Sequence, residues 1–449
     1  MSKTDYQPPD DLYEAMADLQ FDEALDSDDP RYVDTLGARG DFKMSNLYRR
    51  LRINDSDPQH LKLPKNLAAS SYTLFCGHIG CGKSTELRRI AKILHDKELF
   101  FVVFLDVLKE LDINNLTYAD VLLALAKQLF QALNNENIQV DSVLLRNLEN
   151  WFTERFESHE QVKEIAAEIR SEAKGGVGIP FLGALFASMT AYVQNNSTYK
   201  QEIRNIITNS FSQFAQSFNQ CLLGAEKAIK ENGKGQRILF IVDGTDRLRD
   251  KDGEQFFLKD VHQLTQISGF FVYCSPIHLL YENNQIHRNF GTVSLPMIKL
   301  HDRDKKLLTD NYEVMRQMVF RRFPADFFAQ PNLVDKLIEF SGGCPRELLR
   351  LIDYAFLSVT GDKFDEQAID AAINNLAVDY KRLLDTADYQ LLADIAQSHK
   401  AEQNSKKIRH FLYNMIVLEY NNFWREPHPA IYRLPAFQEA LDDISSRTV

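Results

Sequence analysis

The sequence predicts an α/β fold built on a parallel sheet. Three apolar runs, at residues 99–107, 238–242 and 269–274, have the composition of strands that are buried on both faces. Long segments with apolar residues at helical spacing separate these runs, as expected when helical crossovers join parallel strands. With 449 residues, 44% of them hydrophobic, the chain is long enough for roughly two to four domains.

A glycine-rich loop follows another β-prone stretch, residues 71–76, and precedes a segment of helical spacing. A strand, a glycine-rich turn and a helix start form the context of a phosphate-binding P-loop. Glycines let backbone N–H groups approach phosphate oxygens, and a helix N-terminus adds positive partial charge. The alternative is a glycine-rich turn without a ligand. The predicted nucleotide-binding residues are Gly77, His78, Ile79, Gly80, Cys81, Gly82, Lys83, Ser84 and Thr85.

The residue types in and after the loop predict a magnesium-dependent nucleotide site. Lys83 is expected to reach the β- and γ-phosphates, and the Ser84 hydroxyl is expected to ligate Mg²⁺. Asp243 ends one of the apolar runs and is expected to hold the metal, directly or through water. Asp246 is expected to orient or deprotonate the attacking water. Gly244 stands where many ATPases carry a glutamate, so we expect slow or partner-stimulated hydrolysis.

Two further residues are candidates for sensing the nucleotide. Ser275 ends another apolar run, and its hydroxyl is expected to face the γ-phosphate; the alternative is a strand-terminating serine. Arg346 follows Pro345, which suits the first turn of a helix. An arginine at that position would reach back to the phosphates and draw a helical lid closed.

These motifs resemble those of AAA+-type P-loop ATPases. The similarity is greatest to the initiator (origin-recognition) branch and the neighbouring STAND ATPases, over residues of about 35 to 360. It rests on the P-loop, on the run 243–246 and on the lid run 343–346. The resemblance implies that the nucleotide is ATP, with Mg²⁺, and that Arg346 is a sensor-2 arginine. The sequence departs from the family in lacking the glutamate and a clear arginine finger, for which Arg288, Arg321 and Arg322 are the candidates.

The resemblance also implies a domain order. The N-terminal part is acidic, and its sparse apolar residues fit a weak helix or disorder equally well. The long insertion in the core is expected to serve partners or assembly. The predicted parts are an N-terminal segment and lead-in (1–60), a P-loop ATPase core (61–300) with an insertion at about 108–235, a helical lid (301–378) and a winged-helix-like domain (379–449).

The C-terminal part is expected to carry a hairpin wing beside a helix. Residues 417–420 and 431–434 are the predicted strands, and the Asn421-Asn422 pair is the predicted turn. DNA contact through the nearby cations is one alternative, and a solvated or protein-binding wing is the other. These cations are Lys400, Lys406, Lys407, Arg409 and His410.

One uncharged stretch, residues 175–194, is nearly long enough for a membrane span. Its apolar residues alternate at Leu185, Ala187, Met189, Ala191 and Val193, a period of two that predicts a β-hairpin with one buried face. A membrane span and an amphipathic interfacial contact are the alternatives.

Composition narrows the class of protein further. A net charge of −11 argues against a generally basic nucleic-acid binder. The five cysteines are scattered without a CxxC pair, which favours a reducing, cytoplasmic location without a disulfide framework or zinc site. No apolar signal-peptide core occurs near the N-terminus.

The predicted function is an ATP-driven switch. We expect it to close and assemble on ATP, with a homo-oligomer as one form of assembly, and to engage a protein partner or effector. Bacterial antiphage defence is the preferred setting. A DNA-binding adaptor that uses ATP structurally is one alternative. A membrane-inserted P-loop ATPase built around residues 175–194 is the other.

Overall fold

The computed structural model describes residues 6–157, 178–195, 199–282, 285–400, 405–421 and 424–447. Within these ranges five parallel strands form the central sheet, in the order β2-β3-β4-β1-β5, which confirms the predicted α/β class. The strands are β1 (Ser71–Gly77), β2 (Phe100–Asp106), β3 (Arg237–Asp243), β4 (Phe270–Pro276) and β5 (Gly291–Ser294).

The sheet order brings the carboxyl ends of β1 and β3 to the same edge, with β4 between them. In register, Asp106 lies opposite Asp243, and Cys76 lies opposite Ser275. The three central strands are almost completely buried because helices cover both faces. The crevice outside the carboxyl ends of such strands is where α/β proteins bind ligands.

Helices surround the sheet and build the insertion between β2 and β3. Two short helices precede the sheet, and one helix follows β1 directly. These helices are α1 (Leu12–Ala17), α2 (Ser45–Arg50), α3 (Lys83–Asp96), α4 (Val107–Glu110), α5 (Tyr118–Asn135), α6 (Ser142–Glu157), α7 (Ile179–Gln194), α8 (Tyr199–Asn209) and α9 (Phe211–Glu231).

The described part of the insertion has an apolar core that contains a buried ion pair. The rings of Phe130 on α5 and Phe186 on α7 stack with centroids 5.5 Å apart. Arg204 on α8 donates through Nε to Asp120 on α5 over 2.9 Å. Both side chains of this pair are almost fully buried, so loss of either partner would leave an uncompensated charge. The pair therefore fixes how α5 and α8 pack.

The predicted β-hairpin at residues 175–194 is wrong where it is described, because residues 179–194 form helix α7; residues 175–177 lie outside the described residues. Leu185, Met189 and Val193 are buried on one face, and Ala191 is exposed. A spacing of four residues fits both the two-residue period of a strand and the 3.6-residue period of a helix. These positions therefore do not distinguish a strand from a helix. Across the described ranges, no helix combines the length and apolarity needed to cross a membrane.

Apart from the strands of the central sheet, the second half of the described chain is mostly helical, and the assignment of residues 301–378 to a lid stays a prediction. Its elements are α10 (Asp250–Glu254), α11 (Val261–Gln266), α12 (Gln285–Asn289), α13 (Thr309–Phe320), α14 (Leu333–Phe340), α15 (Pro345–Phe356), α16 (Glu366–Lys381), α17 (Thr386–Ser398), α18 (Lys406–Tyr413), β6 (Val417–Glu419), β7 (Arg425–Pro427) and α19 (Pro435–Arg447).

The predicted second strand of the wing is wrong. Strand β6 pairs antiparallel with β7, and the expected strand at 431–434 overlaps a 3-10 helix, Pro429–Arg433. Pro429 lacks an N–H and suits the first position of such a turn, where that donor would be unpaired. Both strands are buried, so the ribbon faces the protein interior. Asn422 of the predicted turn lies outside the described residues.

Candidate functional site

The glycine-rich loop joins β1 to α3 with the backbone conformation of an anion cradle. Gly80 and Gly82 have φ values of +82° and +101°, in the region that favours glycine. Gly82 is the N-cap of α3, so the first N–H groups of the helix open towards the loop. At Gly80, a Cβ atom would lie 2.6 Å from the Cβ of Arg346. The loop therefore requires glycine both for its curvature and for contact with the lid.

Lys83 is buried and lies at the centre of the loop. Its Nζ donates to the carbonyls of Gly77, at 3.1 Å, and His78, at 2.7 Å. The same atom is 2.8 Å from Oδ2 of Asp246. Burial by itself would lower the pKa of Lys83, but the negative charge of Asp246 raises it above its ordinary value. Lys83 is thus held as a cation at the predicted phosphate position.

Ser84 and Asp243 form the second pair of the site. The Ser84 hydroxyl donates to Oδ1 of Asp243 over 2.8 Å. Burial raises the pKa of Asp243, and the nearby charge of Asp246 raises it further. A hydroxyl and a carboxylate are hard oxygen donors, and a divalent cation between them would relieve the buried negative charge. These two residues therefore fit Mg²⁺.

Other protein ligands for a metal are few at this site. Among the described residues, no group of three His, Cys, Asp or Glu side chains is arranged to hold a metal ion. Mg²⁺ commonly takes one or two protein ligands and fills its remaining positions with water and substrate phosphates. The donor set of Ser84 and Asp243 agrees with that mode of binding.

Asp246 is buried beside Lys83. Burial favours its neutral form, but the charge and hydrogen bond of Lys83 outweigh burial and lower the pKa of Asp246. Asp246 is therefore ionised at neutral pH. A carboxylate in this state accepts hydrogen bonds and can orient a water molecule, although a lowered pKa makes it a weak proton acceptor.

Ser275 does not reach this cavity in the structure. Its side chain is fully buried, and its Oγ lies 3.0 Å from Sγ of Cys76 on the neighbouring strand. The preceding carbonyl, that of Cys274, accepts a hydrogen bond from Thr245. The predicted contact of Ser275 with a γ-phosphate would therefore require this strand end to rearrange.

Arg346 lies in the first turn of α15, against the loop. Its backbone N–H donates to the Gly80 carbonyl over 3.4 Å, and its side chain lines the same cavity as Lys83, Asp243 and Asp246. The lid is thus in contact with the P-loop, as the position after Pro345 led us to expect. Arg346 therefore lies beside the glycine-rich loop, and its role as a nucleotide sensor stays a prediction.

Two of the three arginine-finger candidates bind other parts of the chain. Arg321 donates to the carbonyls of Pro30 and Tyr32, and Arg322 donates to the carbonyl of Arg31 over 3.3 Å. Arg288 on α12 is exposed. The first two therefore bind the N-terminal segment of the same chain.

Sequence analysis missed several residues around the cavity. The cavity has a volume of about 630 Å³, and the N-terminal residues 20–25, 31–33 and 35 form part of its wall. Arg39 is buried and donates through Nη2 to the Cys81 carbonyl of the loop over 2.7 Å. Arg247 also lines the cavity. A weakly apolar, acidic segment gives no periodic signal, so its place in the site was not predictable from pattern.

The P-loop is bonded directly to the C-terminal part of the chain. His78 Nδ1 lies 3.1 Å from the Leu412 carbonyl, and Nε2 accepts the Glu419 N–H over 2.8 Å. These contacts require a neutral ring with its proton on Nδ1. Burial, assisted by the charge of Lys83, lowers the pKa of His78 to about 3. The buried ribbon of β6 and β7 is therefore coupled to the loop through one side chain.

Protonation of buried histidines is expected to destabilise the fold in acid. Burial also lowers the pKa of His428 to about 3, whereas an unfolded histidine has a pKa of about 6.5. The unfolded state binds these protons more tightly, so the stabilisation is complete above pH 6.5 and is lost as the pH falls towards 3. Between pH 7 and pH 5, each histidine should lower the free energy of unfolding by about 2 kcal/mol.

Urea denaturation of the wild type and His78→Gln at pH 5 and pH 7 tests this expectation. The variant should lose less stability than the wild type between the two pH values. The same substitution at His60, which is exposed, serves as the control. Equal pH dependence of the wild type and His78→Gln would contradict the assignment of a neutral, buried His78.

Comparison with known proteins finds similarity among solved structures but not among protein families or curated proteins. No protein-family model and no curated protein matches the chain. Among solved structures, the chain is similar to a Walker-type ATPase of Pyrococcus abyssi, at 12% sequence identity and a TM-score of 0.38, with 94% of this chain and 100% of that chain covered. This similarity is too weak to assign a function. The parallel sheet, the glycine-rich loop, the ion pair of Lys83 with Asp246 and the hydrogen-bonded pair of Ser84 with Asp243 are features expected of a P-loop NTPase.

Proposed function

We propose that the chain binds Mg²⁺–ATP at residues 77–85 and hydrolyses it slowly as a nucleotide-driven switch. The observation that carries this proposal is the pairing of Lys83 with Asp246 and of Ser84 with Asp243 beside the glycine-rich loop. A cation, a metal-binding hydroxyl and two carboxylates at one cradle are the groups that phosphoryl transfer to water requires.

Binding would use the loop and its lysine. Backbone N–H groups of the loop and the first turn of α3 would hold phosphate oxygens, and Lys83 would exchange its contact with Asp246 for the β- and γ-phosphates. Mg²⁺, held by Ser84 and Asp243, would neutralise charge on the phosphates. Arg346 would add a charge-assisted contact from the lid.

Hydrolysis would depend on Asp246. Once Lys83 has turned to the phosphates, the Asp246 carboxylate would be available to orient the attacking water. A carboxylate is a weak base at neutral pH, which favours orientation over proton abstraction, and Gly244 provides no second carboxylate. Slow turnover, or turnover that a partner stimulates, follows from this chemistry.

The switch would act through two contacts of the loop. The Gly80 carbonyl binds the lid at Arg346, and the His78 ring binds the C-terminal ribbon at Leu412 and Glu419. A change in loop geometry on ATP binding would therefore act on both the lid and the ribbon. Two packed elements that share one loop can transmit such a change as a discrete rearrangement.

The finer assignment to the AAA+ initiator or STAND branch rests on the resemblance of the loop and lid motifs. A homo-oligomer would supply the missing arginine finger from a neighbouring copy, and the insertion would engage a protein partner or effector. All five cysteines are free thiols, which supports a reducing, cytoplasmic location. The antiphage setting rests on the resemblance alone.

We do not advance DNA binding as a second function. Lys407 Nζ lies 2.8 Å from Oδ2 of Asp388, and Arg409 Nε lies 3.7 Å from Oε1 of Glu282. Two of the predicted phosphate-binding cations are therefore paired within the chain. DNA contact stays a prediction, and the turnover experiment includes duplex DNA to test it.

Steady-state phosphate release from ATP tests the proposal, with Lys83→Ala as the blank and with or without duplex DNA. Turnover above the blank would support an ATPase, and stimulation by DNA would favour a DNA-sensing ATPase over an adaptor that uses ATP structurally. Turnover equal to the blank in every condition would contradict hydrolysis by the isolated chain.

A further inference from the structure

An acidic N-terminal segment, residues 20–34, crosses the mouth of the nucleotide cavity; we call it the N-terminal strap. On one side the Leu25 N–H donates to Oγ1 of Thr85 over 3.3 Å, and Arg88 donates to the Ala24 carbonyl over 2.7 Å. On the other side Arg321 and Arg322 of the lid donate to strap carbonyls. The strap thus connects the P-loop helix to the lid.

The charges of the strap match those of the surface beneath it. Asp28 lies 3.2 Å from Nζ of Lys92 on α3, and Asp26 lies 3.7 Å from Arg88. These two carboxylates are exposed and pair with exposed or half-buried cations, so each contributes little on its own. Neither carboxylate is among the residues that line the cavity, although Arg88 is.

Asp22 differs because it faces the cavity. Its Oδ1 lies 2.6 Å from Nε of Arg346 and 3.3 Å from Nη2 of Arg247. Asp22 lines the same cavity as Lys83 and Asp246. The Arg346 side chain is only 16% exposed, against 56% for Asp22, so an exposed carboxylate is held by a well-packed cation. One anion therefore joins two arginines at the phosphate end of the site.

We propose that Asp22 is an autoinhibitory latch that occupies Arg346 and Arg247 until the terminal phosphate of ATP displaces it. This inference rests on the proposed function and adds a regulatory element to that site. A γ-phosphate carries more negative charge than a carboxylate and offers three acceptor oxygens, so it competes successfully for arginine. ADP lacks that group and leaves the latch closed. ATP binding then releases the strap from the lid.

Competition makes a specific prediction for nucleotide affinity. Removing the competing carboxylate in Asp22→Asn should tighten ATP binding about 3-fold, the size expected for a partly exposed ion pair, and should leave ADP binding unchanged. Isothermal titration with ATP and with ADP measures both constants. Asp28→Asn is the matched control, because it removes the same charge from the strap without a contact to Arg346 or Arg247.

Release of the strap has a separate readout that needs no nucleotide. Limited trypsin digestion should cleave after Arg31, which is buried in the closed strap, faster in Asp22→Asn than in the wild type or Asp28→Asn. Mass spectrometry identifies the product that begins at Tyr32. Addition of ATP, but not ADP, should accelerate the same cleavage in the wild type.

The outcomes separate failure of the latch from failure of the proposed function. Equal or weaker ATP binding by Asp22→Asn, or protection of the strap by ATP, would overturn the latch while the ATP site stands. Cleavage after Arg31 at the same rate in Asp22→Asn and Asp28→Asn would overturn it as well. Wild-type protein that binds no ATP, with heats equal to those of Lys83→Ala, would overturn both.

Discussion

Replacing Lys83 by alanine is expected to abolish ATP binding in the accessible concentration range. The side chain supplies the cation of the loop, with contacts to Gly77, His78 and Asp246. Loss of charge-assisted hydrogen bonds to two phosphates should weaken the affinity by about 100-fold or more. Isothermal titration with Mg²⁺–ATP measures the change.

The control for this prediction lies at the other end of the same helix. Lys97 follows α3, and its side chain is exposed and donates to the Gln59 carbonyl. Lys97→Ala removes an equal charge and should bind ATP like the wild type. ATP affinity of Lys83→Ala equal to that of Lys97→Ala would contradict a phosphate-binding role for Lys83.

The same substitution is expected to destabilise the protein without nucleotide. Lys83→Ala leaves the Asp246 carboxylate buried without its cation, at a cost of about 3 kcal/mol. Adding Asp246→Asn to Lys83→Ala removes the uncompensated charge and should restore part of the free energy of unfolding. Urea denaturation of the two single variants and the double variant measures the coupling. Additive effects would show that the two side chains do not interact.

Asp246→Asn is expected to separate ATP binding from hydrolysis. Lys83 stays available to the phosphates, so binding should persist, while loss of the water-orienting carboxylate should lower turnover by about 100-fold. Binding and phosphate release are measured on the same preparation. Unchanged turnover in this variant would exclude Asp246 from the reaction.

Asp243→Asn is expected to weaken the Mg²⁺ dependence of ATP binding, in contrast to Asp246→Asn. It retains the shape of the side chain but removes the charge that would hold Mg²⁺ beside Ser84. The affinity for ATP should then depend much less on Mg²⁺ than in the wild type, whereas Asp246→Asn should keep the full dependence. The two aspartates lie three positions apart, so this comparison tests the division of roles between them.

The central strands and the glycine-rich loop were predictable because their signals are local. Continuous apolar runs such as residues 238–242 fit a buried strand, and they are too short for a buried helix. The proximity of Asp243 to the loop also followed from sequence, since the carboxyl ends of parallel strands meet at one edge. The structure places Asp243 2.8 Å from Ser84.

The incorrect predictions arise where local patterns are ambiguous. In α7 the spacing of Leu185, Met189 and Val193 is common to strands and helices, and the helix has no charged residue that would mark its exposed face. In the C-terminal ribbon, Pro429 starts a turn where a strand was expected. Neither case can be decided without the packing partners.

Contacts between distant parts of the chain were not predictable at all. His78 lies in the loop motif, yet nothing in its neighbours indicates bonds to Leu412 and Glu419, more than 300 positions away. The contacts of the N-terminal strap were likewise not predictable. Asp22 belongs to an acidic segment whose composition fits disorder as well as a weak helix. Its position depends on arginines contributed by the lid and by the turn after β3.

Isothermal titration of the wild-type chain with ATP, in the presence and absence of Mg²⁺, tests directly whether the glycine-rich loop is a nucleotide site. We expect saturable binding at one site per chain, tightened by Mg²⁺ and absent in Lys83→Ala. Heats that match those of Lys83→Ala up to millimolar ATP would contradict a nucleotide site at the loop.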